Sequence, residues 1–291
     1  MLGLNRRLDR IQGRRPVFVF GNPIIKTLCA TVGFSDVTSA NIVGYNTINL
    51  TKEYSLFTVN FTKTDGTALT VQEAVPPTEG MAIAKTASAA DQIQVMDAAG
   101  TYNSSYYLSN GEYGKGKYNP AASNKWVLTS KAGNPAPTTD TLPVGSTFFY
   151  VSRGAKAGNP HSVQMAGGVD LNPSETFTIN KPYTLIGCPF PTDVAINGGI
   201  QVTGETIAKT ASAADQIQIM DDAGTYNSSY YLSNGEYGKG KYNPAASNKW
   251  VLTSKAGNPA PTEDVFPCGK GAFYVSRKCD GTLTFINPIK K

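Results

Sequence analysis

A single histidine, His161, stands in the 291 residues, directly after Gly158, Asn159 and Pro160. Nucleophilic hydrolysis of the Ser-His-Asp or Cys-His kind needs an imidazole beside its nucleophile. One histidine in a Gly/Asn/Pro context reads instead as an exposed linker residue. Paired carboxylates are the other route to hydrolysis, of glycosides above all. Four acidic positions recur 124 residues apart: Asp91/Asp215, Asp97/Asp221, Glu112/Glu236 and Asp140/Asp264. Most lie in turn contexts that account for a carboxylate locally, and spacing alone pairs none of them. Asp221, Asp222 and Asn227 offer oxygen ligands for calcium, but Ala98 stands at the second position in the other copy and there is no EF-hand pattern. G111-E-Y-G-K-G116 has glycines and a lysine without the spacing, or the following helix, of a phosphate loop. The expectation is a chain with no catalytic set, no cofactor and no metal, hence not an enzyme.

The aromatic residues say more. The 38 residues Thr101 to Thr138 return unchanged as Thr225 to Thr262. One copy holds Tyr102, Tyr106, Tyr107, Tyr113, Tyr118 and Trp126, interleaved with Asn and Ser. Such residues make flat, adaptable surfaces for sugars or protein partners. Tyr106 and Tyr107 are neighbours in a strand, so one points outward if the other faces the core. Tyr102, Tyr107 and Trp126 read as core. Tyr106, Tyr113 and Tyr118, with their counterparts Tyr230, Tyr237 and Tyr242, form the candidate binding surface. Contacts between modules or subunits are a third use for these rings.

The elements that must position them are strands. V32 to L50, Y54-S-L-F-T-V-N-F61, D91-Q-I-Q-V-M96, T101-Y-N-S-S-Y-Y-L108, K125-W-V-L-T129, P143 to S152 and S162-V-Q-M-A-G167 carry the alternation or β-prone composition of strands. D97-A-A-G100 reads as a turn, N110-G111 opens a Gly-rich loop, and T70-V-Q-E-A-V75 is ambiguous until Pro76 and Pro77 end it. The same order recurs through T176 to F190, D215-Q-I-Q-I-M220, G271-A-F-Y-V-S276 and T282-L-T-F-I286. The chain therefore divides into a leader or arm (1–30), β module one (31–170) and β module two (171–291). The fold expected is all-β, two tandem antiparallel β-sandwich or barrel-like modules with an N-terminal extension.

Charge is low, at 16% of residues, and unevenly placed. Residues 1–28 hold six basic residues and Asp9, a balance of +5. The remainder holds 20 of each sign and is neutral. A nucleic-acid partner would need a basic face on the folded part, so none is expected. No apolar run reaches the length of a membrane span. The basic start, the run from Pro16 to Ala30 and the small residue at its end read as a secretory leader or its remnant. Gly21, Asn22, Pro23 and Lys26 interrupt that run. A misassigned start, or real strands at V17-F-V-F20 and I24-I25, stay open as alternatives.

I42-V-G-Y-N-T-I48, Y54-S-L56, D91-Q-I-Q-V95, Trp126 and G145-S-T-F-F149 together resemble a family of secreted, β-rich, largely uncharacterised proteins of planctomycete- and verrucomicrobial-type bacteria. The resemblance covers nearly all of residues 36–286. It implies export and an extracellular or surface role, and it supplies no catalytic residues. Module two lacks a clear IVGY motif.

Of the four cysteines, Cys268 and Cys279 replace Val144 and Ala155 of module one. Both changes fall in one copy, as a disulfide requires, and a bridge across F273-Y-V-S276 would imply an oxidising compartment. Two unlinked buried thiols are the alternative. Cys188 reads as a core thiol, and Cys29 falls in the leader.

The function expected is a secreted or surface-displayed structural protein that assembles with copies of itself into a filament, with V17-F-V-F20 or T282-L-T-F-I286 as connector. The alternative is a tandem carbohydrate-binding adhesion pair, its partners glycans and its two sites cooperating by avidity.

Overall fold

The computed structural model describes residues 43–96, 104–220 and 228–289. Within them the chain builds one architecture twice. Module one comprises β1 (Val43–Leu50), β2 (Tyr54–Thr58), β3 (Leu69–Thr70), α1 (Val71–Ala74), β4 (Gln92–Val95), β5 (Ser104–Tyr113), β6 (Lys117–Leu128), β7 (Thr141–Leu142), β8 (Thr147–Val151), α2 (Arg153–Lys156) and β9 (His161–Gly168). Module two comprises β10 (Ser174–Ile179), β11 (Tyr183–Gly187), β12 (Val194–Ala195), β13 (Ile200–Thr203), β14 (Gln216–Ile219), β15 (Ser228–Tyr237), β16 (Lys241–Leu252), β17 (Val265–Phe266), β18 (Gly271–Val275) and β19 (Gly281–Ile286).

Each module centres on a five-stranded antiparallel sheet, in the order β2-β8-β4-β5-β6 or β11-β18-β14-β15-β16. A smaller sheet accompanies it, β1-β9 in module one and β10-β19-β13 in module two. The fold is all-β and sandwich-like; among the described residues no sheet closes into a barrel. The leader and the segments V17-F-V-F20 and I24-I25 lie outside the described residues.

Strand alternation sets the layers. Tyr106 enters the main core with Phe57, Ile93, Trp126, Phe148 and Tyr150, while Tyr107 enters a second layer with Ala90, Ala122 and Val127. Both tyrosines are buried, so neither faces solvent, contrary to expectation. The reason is a cover on the second face. Ala84 N–H donates to the Leu108 carbonyl at 3.1 Å, and Asn110 N–H donates back to the Ala84 carbonyl at 3.2 Å. Alanines in this cover let its backbone approach closely. Trp126 is fully buried, its ring edge-on to Tyr150 with 6.0 Å between centroids. Its Nε1–H donates to the Val75 carbonyl at 2.6 Å, as a buried indole requires.

The modules differ where their sequences do. Pro76 and Pro77 stand where β13 has Gln201 and Val202. Proline has no N–H to donate, so the small sheet has two strands in module one and three in module two. The ambiguous T70-V-Q-E-A-V75 forms α1. A capping box fixes it: Glu73 N–H donates to Thr70 Oγ1 at 3.3 Å, and Thr70 N–H donates to the Glu73 carboxylate at 2.8 Å. Its counterpart Ile196–Gly199 is only a tight turn, because Asn197 (ψ 121°) and Gly198 (φ 89°) are non-helical.

β6 and β16 are edge strands, and a side-chain amide clamps each. Gln72 Oε1 accepts from Trp126 N–H at 3.1 Å and Nε2 donates to the Trp126 carbonyl at 2.7 Å. Asn197 does the same to Trp250 at 2.9 and 3.0 Å. One amide thus imitates a neighbouring strand.

The two large sheets meet at β2 and β11. Thr58 N–H donates to the Gly269 carbonyl at 3.0 Å, and the equivalent residues Phe149 and Phe273 meet with ring centroids 6.0 Å apart. Gly145 faces Phe177 of module two, while its counterpart Gly269 faces Asn46 and Ile48 of module one. These reciprocal contacts relate the modules by an approximate two-fold.

Candidate binding surface

Two of the four carboxylate pairs that could serve hydrolysis have structural partners. Asp91 is fully buried and accepts from Tyr150 O–H at 2.7 Å and Arg153 N–H at 2.6 Å. Asp215 accepts from Tyr274 O–H and Arg277 N–H, both at 2.7 Å. Burial, with the adjacent carboxylate, raises both phenols far above their ordinary range. Asp140 and Asp264 accept from Tyr106 and Tyr230 at 2.9 and 3.0 Å. Glu112 and Glu236 are exposed on the hairpins. Asp97, Asp221, Asp222 and Asn227 lie outside the described residues, as do Tyr102 and Cys29.

His161 corrects the expectation of an exposed linker residue. Its side chain is only 3% exposed, and Nε2 lies 3.4 Å from Asp91 Oδ2. Burial opposes the imidazolium, but the Asp91 carboxylate and the Asn159 carbonyl outweigh it, so the pKa rises. The signal that misleads is Pro160: it ends a turn, and His161 opens β9.

The cysteines also differ from expectation. Cys268 and Cys279 are unpaired. Ten residues separate them, five of which form the extended strand β18; such a strand spans about 13 Å, beyond the roughly 7 Å that a disulfide bridges. Cys268 N–H instead donates to Asp193 at 2.8 Å. Burial, with the Asp193 charge, pushes the Cys268 thiol up to about 11. Cys188 is fully buried, as expected, and burial raises its thiol further.

Among the tyrosines, Tyr106 and Tyr230 leave the candidate surface, since each is 5% exposed and faces the core. Tyr113, Tyr118, Tyr237 and Tyr242 remain at the surface, though on strands rather than in a loop. β5 runs through N110-G111 to Tyr113, with register shifts at Ser109/Asn110 and Asn110/Glu112. Gly111, at φ 84°, supplies the bulge conformation that other residues resist. The turn is Gly114 to Gly116, and Lys85 Nζ donates to the Gly114 carbonyl to hold it. Lys209 does so to Gly238 in the second copy.

This geometry makes a platform. A Cβ on Gly111 would stand 2.8 Å from Tyr118 Cε2, and one on Gly235 equally close to Tyr242 Cε2. Each ring therefore lies against a bare glycine, an arrangement that fixes a ring beside a strand. Tyr118 and Tyr242 nevertheless remain 56% exposed.

A groove also lies at the module junction, with a volume of about 380 Å³. Asn46, Thr47, Asn49 and Thr51 line it from module one, Asp193 and Lys270 from module two. No local pattern in the chain signals it, because its walls come from both modules. Among the described residues no cluster of three or more His, Cys, Asp or Glu could hold a metal ion, and no helix is long and apolar enough to cross a membrane. The chain matches no protein-family model, no curated protein and no solved structure.

Proposed function

We propose that this chain is a non-catalytic adhesion protein that binds polysaccharide through two identical hairpin platforms. The observation that carries the reading is the pair Tyr118 and Tyr242, each seated on a glycine and still half exposed. A fixed ring with one open face suits the apolar face of a sugar ring. The exposed side chains of Glu112, Lys115 and Lys117 on the same hairpin supply hydrogen-bonding groups near it. Placement outside the cell belongs to the same proposal and rests on the low charge and the family resemblance.

The test is retention on insoluble polysaccharides, cellulose, chitin and mannan, by the full chain. Tyr118→Ala and Tyr242→Ala should each weaken retention, and the double variant should lose it by about 100-fold or more, as loss of avidity predicts. Equal retention by the double variant and the wild type would sink the platform reading.

Self-assembly is the second reading, favoured by one arrangement. The sheets meet at β2 and β11, so the edge strands β6 and β16 lie at the far ends of the pair, where head-to-tail contacts would form. Two observations weigh against strand addition. T282-L-T-F-I286 lies within β19, which pairs with β10 on one side and β13 on the other, so it is no free connector. β6 and β16 carry Pro120 and Pro244 with several lysines, residues that blunt an edge. Sedimentation at high protein concentration separates the readings: filaments support assembly, and a lone monomer boundary leaves adhesion.

A further inference from the structure

The approximate two-fold makes two junctions between the modules, and they are not alike. At one, a Cβ on Gly145 would stand 3.2 Å from Phe177 Cζ, and the ring fills the space over the Gly145 turn. At the other, Ile48 replaces the phenylalanine and Asn46 replaces Glu175, against the Gly269 turn. The smaller Ile48 leaves the groove of about 380 Å³ open, within the range of roughly 300–1,000 Å³ typical of small-ligand pockets.

The groove is built for hydrogen bonding. Asn46 is 8% exposed, and its Nδ2 has no acceptor among the described residues. That amide faces the Gly269 turn, so the groups open to a ligand are those on the outward face of β1. Thr47, Asn49 and Thr51 alternate along β1 and its end, presenting two hydroxyls and an amide to the same side. Lys270 and Asp193 add one charge of each sign, which leaves the lining neutral. Beyond Asn49 and Thr51 stands Tyr54, 47% exposed, beside a hollow of only about 20 Å³, so a further ring would lie on the outer face of Tyr54.

We propose that this junction groove binds a neutral saccharide, one ring among Thr47, Asn49, Thr51, Asp193 and Lys270 and the next against Tyr54. Mixed donors and acceptors with no net charge suit hydroxyl groups rather than an anion or an apolar ligand. The ligand class rests on the polysaccharide-binding reading. The site is separate from the hairpins and occurs once, because Phe177 fills its counterpart.

The experiment is titration calorimetry of the full chain with cellotriose, chitotriose and maltotriose. Three forms are compared: wild type, Tyr118→Ala/Tyr242→Ala and Asn49→Ala/Thr51→Ala. Asn49 and Thr51 are exposed, so their removal should leave the fold intact. The tyrosine pair variant should keep one binding site per chain. The Asn49/Thr51 variant should lose that site, with affinity about tenfold or more weaker. Ile48→Phe, which imitates the filled junction, should abolish the site with its thermal transition retained. If the tyrosine pair variant binds nothing while Asn49→Ala/Thr51→Ala binds like wild type, the groove proposal is overturned and the hairpin reading stands. If only the groove variants lose binding, the groove stands and the hairpin reading falls. No heat with any of the three trisaccharides overturns the groove proposal; cellulose, chitin and mannan retention still judges the hairpins.

Discussion

A Cβ on Gly187 would collide with the hydroxyl oxygen of Thr58, although the two residues hold the same place in their modules. Thr58 pairs with Thr147 across β2 and β8, and Gly187 pairs with Gly271 across β11 and β18. The two threonine hydroxyls bond each other at 2.9 Å, and Thr58 Oγ1 donates to the Lys270 carbonyl at 3.1 Å. A self-complementary two-fold contact would present the same residues from both sides. Here one side carries two β-branched knobs and the other two bare backbones. The same face on two copies of module one would bring threonine against threonine, so the contact favours the pair within one chain.

Gly187→Ala should therefore destabilise the module junction by about 1–3 kcal/mol, as overpacking does. Denaturant unfolding is the check, with Thr58→Gly and the double variant completing a cycle. A coupling of about 0.5–3 kcal/mol is expected for groups in direct contact. Additive single effects would mean that the two residues do not touch.

The His161–Asp91 pair predicts a pH dependence confined to module one. The folded-state pKa of His161 lies above its ordinary 6.5. A raised folded pKa gives stability that is complete below about pH 6.5 and fades as pH rises through the folded value. Wild-type module one should thus weaken as pH rises above about 6.5, and His161→Gln should flatten that slope. Trp250→Phe leaves Trp126 as the fluorescent reporter of module one. Identical pH slopes in the two proteins would refute the ion pair.

The edge clamps offer a test in each copy. Gln72→Ala removes both of its bonds to the Trp126 backbone and leaves the N–H unpaired, while the carbonyl keeps the bond from Thr138 N–H at 2.9 Å. The expected loss is about 1–3 kcal/mol, and Asn197→Ala should match it in module two. Amide exchange at Trp126 and Trp250 reads the effect directly. Unchanged protection in the variants would assign the edge to some other cover.

Much of this architecture is legible in local sequence. Alternation in Y54-S-L-F-T and D91-Q-I-Q-V places β2 and β4, the prolines at 76 and 77 end the ambiguous segment before them, and the repeat foretells the like order of strands in its two copies. What escapes is whatever depends on contacts distant in the chain. Tyr106 looks exposed only until the Ala82–Ala90 segment folds over Tyr107 and both faces of β5 are covered. His161 looks like a linker residue because its partner Asp91 stands 70 positions earlier. Cys268 and Cys279 look paired by co-occurrence, but sequence spacing does not show that β18 holds them apart. The junction groove depends on Ile48 standing where its counterpart is Phe177, and only the two-fold makes those positions comparable.

The hairpin platform makes the remaining prediction. Gly111 has φ 84°, and a Cβ there would meet the Asn119 carbonyl oxygen at 2.6 Å and Tyr118 Cε2 at 2.8 Å. Gly111→Ala therefore adds a left-handed penalty of about 1–2 kcal/mol and displaces the ring from its seat. Tyr118→Leu removes the ring without that backbone strain. In the wild type, the Tyr118 ring should shift the Gly111 Hα resonances strongly upfield. Tyr118→Leu should return them to ordinary positions while the fold holds. Gly111→Ala should unseat the ring and cost polysaccharide retention as much as Tyr118→Ala does. Retention unchanged in Gly111→Ala, with the ring shown by its resonances to have left the strand, would separate the glycine seat from binding and leave Tyr118 no role as a platform.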